Sequence, residues 1–159
     1  MLREAETLFL GSFVNKIDAK GRLATPARFR RVLDAEKSST IYVIPSPDEP
    51  CLDAGGPAYI ERLMASIAAL PPFQPERRLL QKRIAGRTMS LSMDGEGRIV
   101  LPQEMREFAH LGGDAAFCGQ GDHFQIWNPR ALEAATGDDA AVAEARLLLS
   151  NPAANGGLA

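Results

Sequence analysis

Two pairs of charged residues invite a chemical reading in this chain of 159 residues. Asp18 with Arg22 and Asp94 with Arg98 each set a carboxylate four residues ahead of a guanidinium, with Gly21 and Gly97 directly before the arginines. Two aspartates facing one another could divide general acid and base work. Each has its own arginine, however, which favours an ion pair or a turn cap. Lys16, Lys20, Arg28, Arg30 and Arg31 surround the first pair in sequence. Cations grouped this way suit phosphate oxygens or the O6/N7 edge of guanine. Catalytic motifs are absent. His110 and His123 have no Cys, His or Glu at a zinc-ligand spacing. No G-x-x-x-x-G-K-[ST] loop occurs, and the G-x-G of Gly119 and Gly121 reads as a turn. No catalytic residue, metal site or cofactor is expected.

The two pairs belong to one phrase written twice, 76 residues apart. Residues 18–30 read DAKGRLATPARFR and residues 94–106 read DGEGRIVLPQEMR. Pro26/Pro102 and Arg30/Arg106 coincide as well, so one structural unit was used twice. Each D-x-x-G-R joins two short extended runs, Gly11–Ile17 to Arg22–Thr25 and Thr88–Met93 to Arg98–Leu101, which reads as a tight hairpin. The prolines suit the first position of a helix, with Thr25 as an N-cap and Leu101 a poor one. Phe29, Val32 and Leu33, then Met105, Phe108 and Ala109, give each helix a buried stripe. Further strands are expected at 40–45, 51–54, 115–118 and 123–127. Helices are expected at 58–70, 75–85 and 130–136, with a last one capped by Asp138. Phe9, Phe13, Phe117, Phe124 and Trp127 fit a core better than a base-stacking face.

The copies differ in charge. Lys16, Lys20, Arg28 and Arg31 are replaced by Ser92, Glu96, Glu104 and Glu107. Residues 14–31 carry +5 and residues 76–87 carry +4, whereas the whole chain totals −2, leaving −11 elsewhere. That segregation suits a local phosphate-facing patch on an otherwise acidic protein. The basic run at Arg77–Arg87 fits either DNA or a salt-bridged interface. No apolar run is long enough to span a membrane, and the start of the chain lacks a signal-peptide shape. Cys51 and Cys118 are expected as reduced thiols, which with these features favours the cytoplasm.

On these residues the chain resembles the MraZ family, built from two AbrB-like swapped-hairpin repeats with D-x-x-x-R signatures. The resemblance rests on Asp18, Gly21, Arg22 and Pro26 and on Asp94, Gly97, Arg98 and Pro102, and covers about residues 8–149. It implies an α+β fold, a tandem duplicated swapped-hairpin β-barrel with short flanking helices. The repeats would occupy 8–70 and 87–136, with a connecting helix at 71–86, a C-terminal helix at 137–149 and a disordered tail at 150–159. It further implies a sequence-specific DNA-binding transcriptional regulator in the cytoplasm and nucleoid. Its partners would be double-stranded promoter DNA with direct repeats, in the division and cell-wall gene cluster, and copies of itself in a ring. Arg22, Lys20, Lys16 and Arg28 would meet DNA; Asp18, Gly21, Asp94, Gly97 and Arg98 would be structural. Glu96 departs from a basic signature and argues against equal roles for the two copies. A protein-gripping, antitoxin-like module of the same class is the alternative.

Overall fold

A computed structural model describes residues 7–150. Its strands are β1 (Ser12–Lys16), β2 (Arg22–Ala24), β3 (Thr40–Pro45), β4 (Leu52–Gly55), β5 (Met89–Ser92), β6 (Arg98–Val100), β7 (Asp114–Gly119) and β8 (Phe124–Trp127). Its helices are α1 (Ala27–Ala35), α2 (Pro57–Ala68), α3 (Pro75–Arg83), α4 (Gln103–Phe108), α5 (Pro129–Ala135) and α6 (Asp139–Ser150), with a 3-10 turn at Ala85–Arg87. One compact unit runs to Pro129, and a second begins at Arg130. In the second, the Asp138 carboxylate accepts the Ala141 N–H at 2.7 Å, the expected cap of the last helix. The expected tail from Asn151 onward lies outside the described residues.

The fold is mixed α+β with antiparallel sheets. Six strands run in the order β1-β7-β8-β4-β3-β5, and β2 pairs separately with β6. The six-stranded sheet ends at β1 and β5 and does not close on itself. The pairing interleaves the copies. β1 of the first pairs with β7 of the second, and β5 of the second pairs with β3 of the first. The equivalent strands β2 and β6 pair with each other, as do β4 and β8. The whole pattern is unchanged when the copies are exchanged, the arrangement of a pseudo-twofold axis. A hairpin expected within each copy is therefore corrected. The turn forms, but the flanking segments of the first copy meet only in one bridge, Ile17 to Leu23.

Burial joins the two copies in one core. Phe29 of α1 is fully buried and packs on Phe9, Phe13, Phe117 and Phe124, two rings from each half of the chain. Leu23, Leu33, Ile41, Ile99, Leu101 and Met105 complete the same core. A smaller apolar cluster of Ile44, Tyr59, Ile67 and Ile84 seats α2. Three local expectations fail. Pro26 and Pro102 occupy the N-cap positions rather than the first helical turn, so Thr25 caps nothing. The Thr25 residue is buried at the β2–α1 junction, where its backbone N–H is committed to Gly97. Phe108, assigned to a buried stripe, is 36% exposed because α4 ends there.

Candidate nucleic-acid interface

The two signature turns share one frame. Gly21 and Gly97 adopt φ of +80° and +77°, the left-handed region open to glycine. The Gly21 N–H donates to the Asp18 carbonyl at 3.0 Å, as Gly97 does to Asp94 at 3.0 Å. In the first turn Asp18 Oδ1 accepts the backbone N–H groups of Lys20 and Arg22, both at 2.9 Å. Arg22 Nε donates to Asp18 Oδ2 at 2.5 Å. In the second, Asp94 accepts Glu96 and Arg98 N–H at 2.9 Å each, and Arg98 Nε at 2.8 Å. Each aspartate thus caps its own turn and pairs with its own arginine. The Arg22 backbone N–H, then the Arg22 side chain, hold the Asp18 carboxyl below its ordinary value. Arg98 does the same for Asp94.

The frames are tied together. In the β2–β6 ladder Arg22 lies opposite Val100, and Ala24 opposite Arg98. Thr25 N–H donates to the Gly97 carbonyl and Leu101 N–H to the Gly21 carbonyl, each at 2.9 Å. Each turn is thus braced by the strand that follows the other.

What differs is the free charge. Arg98 Nη2 reaches the Glu96 carboxylate at 3.5 Å. Position 20, its counterpart, is lysine, so the Nη atoms of Arg22 have no partner among the described residues. Lys20 and Lys16 are exposed on either side of Asp18. Arg28 stands on the first turn of α1, exposed, where with Arg31 it borders a groove of about 1000 Å³ walled by Phe13 and Val32. The equivalent groove of the second copy, about 480 Å³, is bordered by Glu104 and Arg87 with Met89 and Phe108. Every arginine and lysine assigned to DNA from the sequence is therefore at the surface of the first copy. The remaining Nη donors of Arg22 can take a guanine edge or a phosphate while Asp18 fixes the side chain.

Comparison with known proteins agrees with the duplicated signature. A family model described as "MraZ protein, putative antitoxin-like" matches residues 84–149. A Rickettsia felis protein named transcriptional regulator MraZ is 37% identical over 145 residues, 91% of this chain and 97% of its own length. The chain belongs to the MraZ family. A MraZ relative from Methylocella silvestris is 36% identical over 126 residues, 79% of this chain and 77% of its own. Another, from Rickettsia rickettsii, is 38% identical over 126 residues, 79% and 85% of the two chains. The second D-x-x-x-R lies inside the matched segment.

Two features of this MraZ chain escaped the sequence reading. His123 is not isolated. It stacks on Tyr59 with ring centroids 4.5 Å apart, bonds Asp122 at 2.6 Å and lies 3.5 Å from Asp53. Burial opposes its charged form, but the bonds to Asp53 and then Asp122 outweigh that and raise its pKa. Arg30 was visible only as one of the first copy's cations and Arg106 only as its coincident letter; each crosses to the opposite copy's turn. No spacing rule points from a helix to a turn 66 or more residues away. No group of three or more His, Cys, Asp and Glu among the described residues is placed to hold a metal. No helix among them is long and apolar enough to cross a membrane.

Proposed function

We propose that the chain is a sequence-specific DNA-binding transcriptional regulator that works through its first signature turn. The observation that carries this reading is the unpartnered end of Arg22, set beside exposed Lys16 and Lys20 on a turn held rigid by Asp18 and Gly21. Arg22 reads a base edge; Lys16, Lys20 and Arg28 hold phosphates. Asp94, Gly97 and Arg98 build the same turn for structure alone, since Glu96 occupies the guanidinium that would otherwise be offered. The relatives' name, transcriptional regulator, supports the regulatory role. The interleaved strands support two AbrB-like swapped-hairpin repeats, at 8–70 and 87–136, linked through 71–86.

One basic copy per chain is a small footprint, so several chains act together. The two equivalent but unlike grooves, one edged by Arg28 and Arg31 and the other by Glu104 and Arg87, suit head-to-tail contacts that close into a ring in the cytoplasm and nucleoid. Such a ring meets direct repeats in promoter DNA, those of the division and cell-wall cluster, spaced near one turn of about 10–10.5 bp.

Binding to a duplex from the region upstream of the chain's own gene tests this. Three to four phosphate contacts per engaged subunit give a log–log salt slope of about −3 to −4. Arg22→Ala should abolish specific binding, and Arg98→Ala should chiefly lower thermal stability. Salt-indifferent binding, or a folded Arg22→Ala variant that binds unchanged, would favour a protein-gripping module.

A further inference from the structure

Each copy's helix sends an arginine to the other copy's turn, and the two arms end differently. Arg30 on α1 reaches the second turn. Its Nη1 donates to the Glu96 carbonyl at 3.1 Å, and its Cδ fills the space that a β-carbon on Gly97 would need. Arg106 on α4 reaches the first turn. Its Nε donates to the Leu101 carbonyl at 3.1 Å, and its guanidinium carbon would stand 3.3 Å from a β-carbon on Gly21. A flat guanidinium lies over the backbone there because glycine leaves the room.

Arg30 ends on a turn bearing Asp94 and Glu96, and its Nη1 is spent on a carbonyl. Arg106 ends over the glycine that separates Lys20 from Arg22. Its Nη atoms have no partner among the described residues. The one carboxylate of that turn, Asp18, is already engaged by Arg22 and by two backbone N–H groups. Lys20 and Arg22 thus flank, and Arg106 overlies, one turn whose own carboxylate is already engaged. Arginine, with five donors in a rigid fork, keeps donors for an oxyanion after one is used on a carbonyl.

We infer that the DNA-facing site is composite: Arg106, from the acidic second repeat, lies over Gly21 and holds a DNA backbone phosphate together with the first repeat's turn. This rests on the reading of the first turn as the DNA-facing one. It gives Gly21 a second duty beside its positive φ, as the seat of Arg106. It also explains how a repeat with Glu96, Glu104 and Glu107 contributes to a basic site.

The test is the salt dependence of binding of the full chain to the same upstream duplex, read by fluorescence anisotropy. Arg106→Gln should flatten the log–log slope by about 0.9 per engaged subunit, the value of one phosphate contact. Arg106→Met, which keeps an apolar stem over Gly21, should do the same, and Arg106→Lys should restore the slope. Arg30→Gln should leave it unchanged. Weakened binding with an unaltered slope in a folded Arg106→Gln or Arg106→Met variant would mean support without contact and overturn the inference. So would unchanged binding, or an equal loss of slope in Arg30→Gln. Arg22→Ala separates the two ideas. If it too binds unchanged, the DNA-facing turn itself has been misassigned; if it fails to bind while Arg106 variants keep their slope, only the composite site is lost.

Discussion

The first and second signature turns have the same backbone, the same aspartate cap and the same glycine conformation, yet they present opposite chemistry. Lysine at position 20 leaves the Arg22 fork open, and glutamate at position 96 closes the Arg98 fork. A duplicated unit can keep its structural residues in both copies and change only what the solvent meets. The strand exchange makes this possible. Each turn is braced from the other copy, so both copies contribute rigidity to both turns.

The largest test of that division lies in the core. Phe29 and Met105 are counterparts and both are buried in one core, but Phe29 is an aromatic ring that meets four others. Phe29→Ala should cost roughly 3–5 kcal/mol and Met105→Ala roughly 2–5, with Phe29 the worse. Urea unfolding checks both. Equal losses would show that the two copies share the core evenly.

The arginines come next. Arg22→Ala should lose about 1–3 kcal/mol of discrimination between the cognate duplex and a scrambled one. Arg98→Ala should leave that ratio nearly intact while lowering the thermal midpoint. Competition binding and calorimetry on both variants would reverse the assignment if the effects were exchanged.

The glycines should differ more finely. A side chain forced to positive φ costs roughly 1–2 kcal/mol in either turn. At Gly97 the new β-carbon would overlap Arg30 Cδ and drive Arg30 from its bond to the Glu96 carbonyl; at Gly21 it would lie 3.0 Å from the Leu101 carbonyl oxygen, a tight contact rather than an overlap. Gly97→Ala should therefore be the more damaging to stability, and Gly21→Ala to DNA binding. Equal midpoints would mean that Arg30 yields without cost.

The smallest effect compares the residues just before β4 and β8, Cys51 and His123. Burial, with Asp53 and Glu49 nearby, pushes the Cys51 thiol up to about 12, so it stays neutral and unreactive. His123 has a raised pKa, so its charged form favours the fold. That stability is fully present below the unfolded value of 6.5 and is lost as pH rises through the higher folded value. His123→Gln should lose most stability, relative to the natural chain, below pH 6.5, and the gap should narrow towards alkaline pH. Cys51→Ala should show a pH-independent loss over the same range. Denaturant midpoints across pH 5.5–8.5 distinguish the two.

The sequence by itself determined the local turns and ion pairs, but not the helix caps at Thr25, Pro26 and Pro102. The D-x-x-G-R turns, the aspartate–arginine pairs, the positive-φ glycines and the strand at 40–45 follow from residues within about four positions of one another. So did the charge difference between copies, which needs only counting. Tertiary structure decided whatever depends on partners far along the chain. Strand pairing is a choice among edges of similar pattern, and period-2 alternation in β1 does not say whether β2 or β7 lies beside it. The place of Phe108 at the surface depends on where α4 stops, and the partners of His123 come from three different segments. The crossing of Arg30 and Arg106 to opposite turns follows from the exchange of strands. It brings residues 66 and 85 positions apart into contact, a closure that sequence spacing does not encode but burial of Phe29, Leu33 and Leu101 against both halves enforces.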